Sequence, residues 1–92
     1  MAKFDIGETV ICSCEIKDTD GNLKDPATST QISICNNKGV VSLAATAMTK
    51  ESTGKYYYDF QTVGSSRDRY TVSYIATDGS RITIEKETFE LE

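Results

Sequence analysis

The sequence predicts an all-β sandwich of seven strands. Three observations predict it. Apolar residues recur at every second position through most of the chain, clusters of Gly, Asn and Asp interrupt them at short intervals, and no apolar run keeps the period of a long amphipathic helix. With 92 residues the chain has the length of one small domain. A domain of that size buries roughly two-thirds of its unfolded surface, enough for one core and too little for a deep, walled reaction chamber.

Each element follows from the same alternation. Residues 4–6 read as a short edge strand, with Gly7 allowing a bend after it. Val10, Cys12, Cys14 and Ile16 then alternate with Thr9, Ile11, Ser13, Glu15 and Lys17, so the first set faces the core. Asp18-Thr19-Asp20-Gly21-Asn22 is a tight polar turn, and Asp25-Pro26 interrupts pairing because Pro has no N–H and restricts the residue before it. Residues 29–35 put Thr30, Ile32 and Ile34 on one face. Asn36-Asn37-Lys38-Gly39 turns the chain, and residues 40–45 return as a shorter strand. Residues 46–53 read as a crossover of mixed polarity in which Ala44, Ala45, Ala47 and Met48 favour one helical turn.

The second half is more regular. Tyr56, Tyr58 and Phe60 give a strand with an aromatic inner face, and residues 63–68 form a Gly/Ser loop. Tyr70, Val72, Tyr74 and Ala76 face inward from the next strand, and Asp78-Gly79 marks a hairpin. The last strand opens with Ile82 and Ile84 inward but closes with Phe89 and Leu91 on the opposite parity. A β-bulge near residues 85–87 is expected to change the register.

Composition narrows the chemistry. The chain has no His, so His-based acid/base catalysis, Ser-His-Asp and Cys-His nucleophiles and His-ligated zinc are excluded. No catalytic residue is assigned and no cofactor is expected. Ten Lys and Arg against fourteen Asp and Glu give a net charge of -4, the wrong sign for displacing counterions from a nucleic acid. The first nine residues carry Asp5 and Glu8 without the apolar run of a signal peptide, and no stretch approaches the roughly 20 apolar residues of a membrane span. Compartment stays open: cell surface or virion if this is one domain of a larger protein, cytoplasm if the chain is complete. Cys12, Cys14 and Cys35 form an odd set, read as reduced thiols packed as small hydrophobes; the alternatives are a bridge from Cys12 or Cys14 to Cys35, and metal or redox use.

Gly7-Glu8-Thr9-Val10 at the head of a long strand, Asp20-Gly21-Asn22 with Asp25-Pro26, Ser52-Thr53-Gly54-Lys55-Tyr56, and Tyr70-Thr71-Val72 ahead of Ala76-Thr77-Asp78-Gly79 together carry a resemblance. The chain resembles the immunoglobulin-like sandwich domains of the macroglobulin and bacterial or archaeal surface-protein type, which also occur in short phage and prophage proteins. Asp5-Ile6 and Arg67-Asp68-Arg69 stand where members of that group often have Pro and Pro-Gly. The resemblance implies a seven-stranded Greek-key sandwich that serves as a spacer or adhesive module, with a protein partner or neighbouring domains as its contacts. It also implies that Tyr70 closes a corner by bonding its phenol to backbone. A Lys-to-Asn isopeptide cross-link, which some such domains form, lacks an Asn on the terminal strand here.

The candidate site residues follow. Asp18, Asp20 and Asn22 at alternate positions, with Asp25 close by, resemble the start of a calcium loop, but Leu23 and Ser29 occupy the places of its Gly and Glu; a plain turn is the simpler reading. The immunoglobulin-like strand order implied by the resemblance would bring Ile11 and Tyr57 together on one outer face, and would pair the strand of Cys35 with that of Ile75 on the other sheet. Either pair would seed an interface. The expected role is therefore a non-catalytic structural or interaction module of a surface assembly. Two alternatives stand beside it: a small intracellular mobile-element protein that self-associates through its terminal strand, which no Pro protects, and an accessory domain that positions an enzyme on its substrate.

Overall fold

The computed structural model describes residues 2–92, which form eight strands and no helix. In chain order they are β1 (Ala2–Phe4), β2 (Thr9–Glu15), β3 (Ser29–Asn36), β4 (Val41–Ala47), β5 (Thr49–Ser52), β6 (Lys55–Gln61), β7 (Arg69–Asp78) and β8 (Arg81–Leu91). They build a five-stranded sheet, β1-β8-β7-β3-β4, and a three-stranded sheet, β2-β6-β5. All neighbours pair antiparallel except β1, which lies parallel to β8.

The two sheets close on each other through alternate side chains. Val10 and Cys12 of β2 and Phe60 of β6 face Ile32 and Ile34 of β3, Tyr70, Val72 and Tyr74 of β7, and Phe89 and Leu91 of β8, all of them buried. Tyr56 and Tyr58 lie half-buried against this cluster, so the aromatic face expected of β6 is present. Phe89 stacks on Tyr70 with ring centroids 5.3 Å apart, and also meets Phe60 from the opposite sheet at 6.2 Å and Phe4 edge-on at 6.0 Å. Thr62, fully buried, ties the chain start to the end of β6: its hydroxyl donates to the Glu8 carbonyl and accepts from the Gly7 N–H.

Three expectations are corrected. The edge strand lies at Ala2–Phe4, not 4–6, because Phe4 packs on Phe89 while Glu8 N–H turns back to the Asp5 carbonyl. Residues 46–53 hold no helical turn. β4 continues to Ala47 opposite Gln31, Met48 enters the core with its N–H on the Thr30 carbonyl, and β5 joins the other sheet, so there are eight strands instead of seven. The helix preference of the alanines is overridden by the ladder available from β3. There is no bulge at 85–87: β7 and β8 pair without interruption from Arg69↔Glu90 to Asp78↔Arg81. With Phe89 and Leu91 inside, strict alternation sends Ile82 and Ile84 outward, where they are 63% and 55% exposed. All three cysteines are free, as expected: Cys12 and Cys14 lie on the inner side of β2, whereas Cys35 has the opposite parity to the buried Ile34 on β3.

The corner bond is present. Tyr70 Oη donates to the Ser66 carbonyl at 2.6 Å across the loop that leads into β7. Tyr70→Phe is expected to lower stability by ~1 kcal/mol, read as a drop in the urea midpoint with an unchanged slope; an unaltered midpoint would show that the bond contributes nothing.

Candidate interaction surface

The residues singled out by sequence divide into loops and sheet faces. Asp18 serves its own turn: Oδ1 accepts the N–H groups of Asp20 and Asn22, and the Asp18 N–H bonds to the Asn22 carbonyl. Asp25 points elsewhere. Its Oδ2 lies 2.6 Å from Lys50 Nζ, and its Oδ1 accepts from the Gly54 N–H at 2.8 Å and the Tyr56 hydroxyl at 3.0 Å. The four candidate calcium ligands therefore do not converge, and among the described residues no three Cys, Asp or Glu are grouped to hold a metal.

Asp25 instead clamps the long loop after β2 onto the turn between β5 and β6. Gly54 sits in that turn at φ +72°, and a Cβ there would stand 2.7 Å from the Ile16 carbonyl and 2.9 Å from both Leu23 Cβ and the Lys24 nitrogen. Only glycine fits both the conformation and the space. The Lys50 ammonium, followed by the Gly54 N–H, holds the Asp25 carboxyl at about 2, below the ordinary 3.8.

Beside this clamp, a cleft of about 490 Å³ opens between the end of β2 and the hairpin half of β7 and β8, lined by Cys14, Asp25, Thr30, Tyr74, Asp78 and Glu85 among others. The Thr30 hydroxyl is buried near that of Tyr56 and has no hydrogen-bond partner among the described residues. Cys12 and Cys14 lie on the inner face of β2, and burial, followed by the field of the β8 carboxylates, pushes both thiols up to about 11. The Tyr74 hydroxyl donates to Glu87 and is pushed far above its ordinary value, first by burial and then by that bond.

On the smaller sheet β2 and β6 are neighbours. Ile11 stands opposite Asp59 and Tyr57 opposite Ser13, so the two are diagonal neighbours on one face, with Ile11 68% exposed. On the larger sheet β3 and β7 pair as well, but Cys35 stands opposite Thr71 and Ile75 opposite Gln31. Four rungs, about 13 Å, separate Cys35 from Ile75. What lies directly against Ile75 is Ile84 of β8, with Ile82 opposite Thr77 one step further on.

That pairing leads to the terminal strand, whose Ile82 and Ile84 were expected inside and stand outside. β8 has β7 on one side, but on the other β1 covers only Phe89, Glu90 and Leu91. Residues 81–88 are all exposed, and this side of their backbone has no neighbouring strand among the described residues. Other edges are blunted: β4 and β5 both carry register shifts, and β1 spans three residues. β2 also has no second neighbour among the described residues, so its edge is open as well, but its inner face is packed in the core, whereas residues 81–88 of β8 are exposed on both faces. Parity counted back from Phe89 would have placed Ile82 and Ile84 outside; the assumed bulge concealed them. The chain matches no family model, no curated protein and no solved structure.

Two outcomes are expected from the groups that titrate here. A carboxyl lowered by folding contributes stability that is complete above its unfolded value and is lost as pH falls through its folded value. The stability gap between the parent chain and Asp25→Asn should therefore stay constant from neutral pH to about 4 and shrink towards pH 2; a gap independent of pH in urea melts would contradict the clamp. The raised thiols predict that iodoacetamide at mildly alkaline pH labels Cys35 ahead of Cys12 and Cys14 in the native chain and all three once unfolded, which mass spectrometry resolves. Native labelling of Cys12 or Cys14 as fast as of Cys35 would refute it.

Proposed function

We propose that this chain is a non-catalytic immunoglobulin-like β-sandwich that acts as a structural or interaction module and takes a protein partner along the free edge of β8. The observation that carries this reading is the unpaired backbone of residues 81–88, flanked by the outward Ile82 and Ile84. An extended segment laid beside such an edge gains a ladder of main-chain hydrogen bonds, and every second side chain adds contacts on one face. Ile75, Ile82 and Ile84 supply the apolar part of that face.

Several features support the finer parts of the reading. A β8-β7-β3-β4 sheet facing β2-β6-β5, with the chain crossing between sheets at Met48 and the Tyr70 bond at the corner before β7, agrees with an immunoglobulin-like Greek key carrying one additional strand. The non-catalytic role is supported by how the reactive groups are used. The inner thiols are kept protonated, Asp25 is committed to three partners and Glu87 accepts from Tyr74. The resemblance to bacterial, archaeal and phage surface domains agrees with a module built into an assembly, in which the Ile11 and Tyr57 face would meet neighbouring domains. No helix of the described residues is long and apolar enough to cross a membrane.

A photoreactive amino acid placed at position 84 in the native host should give covalent protein adducts on irradiation, whereas the same probe at the exposed loop residue Val63 should not. Adducts at 63 alone, or at neither position, would sink the edge-binding reading.

A further inference from the structure

We infer that the occupant of the β8 edge is a second copy of this chain, paired antiparallel about a two-fold axis through Ile84; this rests on the edge-binding reading above. The inference follows from symmetry, length and charge. Two identical edges joined antiparallel are related by a two-fold axis perpendicular to the sheet, which keeps outer side chains on the outer face. Directly opposed residues must then share parity, so the axis passes through a residue and not between two.

The free stretch, residues 81–88, limits the choice. An axis at Ile84 opposes residues 81–87 of the two copies, and one at Glu85 opposes 82–88; axes further along shorten the overlap, because β1 blocks one end and the Gly79 turn the other. Charge decides between these two. Centring on Glu85 sets that carboxylate against its own copy, a repulsive pair. Centring on Ile84 sets Ile84 against itself and, twice over, Arg81 against Glu87, Ile82 against Lys86 and Thr83 against Glu85. The edge is also balanced, with Arg81 and Lys86 against Glu85 and Glu87, in a chain whose net charge is -4. Arg81, Lys86, Glu85 and Glu87 take part in no ion pair among the described residues. Arg81 is therefore available, and Glu87, already held by the Tyr74 hydroxyl, is positioned to receive it. The product is one continuous sheet running through both copies, with Ile75, Ile82 and Ile84 of each gathered around the axis on its outer face.

Light scattering on the purified chain over a range of concentrations tests this. The parent chain should pass from monomer to dimer. Arg81→Glu, which leaves the Tyr74 bond intact, should weaken the dimer by about tenfold or more, because two attractive cross-strand pairs become repulsive. Glu87→Arg alone should do the same, and the two changes together should restore association, with near-UV circular dichroism checking that each variant is folded. A parent chain that stays monomeric, a dimer untouched by Arg81→Glu, or a folded double variant that fails to re-associate would each overturn the self-pairing. Photo-adducts at position 84 to a different protein, with a monomeric parent chain, would reject the second copy while leaving the edge as a binding site. Dimers lost in Arg81→Glu with no adducts of any kind at 84 in cells would instead reject the cellular role.

Discussion

Phe89 is where the two sheets are locked together, and the placement of almost every other group follows from it. Its ring contacts Tyr70 in its own sheet, Phe60 across the core and Phe4 on the strand beside it. A buried phenylalanine is worth roughly 1.5–3 kcal/mol of transfer free energy, so its inward orientation is not negotiable. The uninterrupted β7–β8 ladder then transmits that orientation along the whole of β8. Each side chain from Leu91 back to Arg81 has its face assigned by counting from one aromatic ring. The isoleucines are exposed because obeying their own preference would require a register break, at the expense of an intact ladder.

The consequences show how much could be read in advance. The two-sheet all-β architecture was legible because period-two alternation is strong in β2, β3, β6 and β7, and because Asp18 to Asn22, Asn36 to Gly39 and Asp78-Gly79 use residues with few other uses than turns. The segment from Thr46 to Thr53 was not legible. Small alanines carry little β signal, and strand formation there depends on the neighbouring β3 rather than on local preference. The start of β8 failed for the opposite reason: Ile82 and Ile84 were read as core because they are apolar, and only the uninterrupted ladder counted back from Phe89 puts them on the outer face. Site residues divide the same way. Ile11 and Tyr57 could be brought to one face from strand order alone, whereas the partners of Asp25, at Lys50, Gly54 and Tyr56, are fixed only by the tertiary fold.

Polar groups at the open end of the sandwich have a common logic. Where the smaller sheet no longer covers the larger one, the inner face of β8 changes from Phe89 and Leu91 to Glu85 and Glu87, and the inner face of β2 ends in thiols held neutral. Asp25 and Gly54 draw the long loop down onto the β5–β6 turn, and that loop forms one wall of the cleft. The aromatic cluster packs against one end of β8, while the other end lines the cleft beside the clamp.

The lone parallel pairing carries a mechanical consequence. Because β1 and β8 run in the same direction, the beginning of β1 and the finish of β8 lie at opposite ends of their shared ladder. Tension drawn between those two points would load the bonds of Ala2, Lys3 and Phe4 together, in shear, instead of unzipping them one after another. Phe4, seated edge-on against Phe89, would have to slide out of its pocket in the same movement. A module strung in a line and pulled along it would thus resist through its shortest strand.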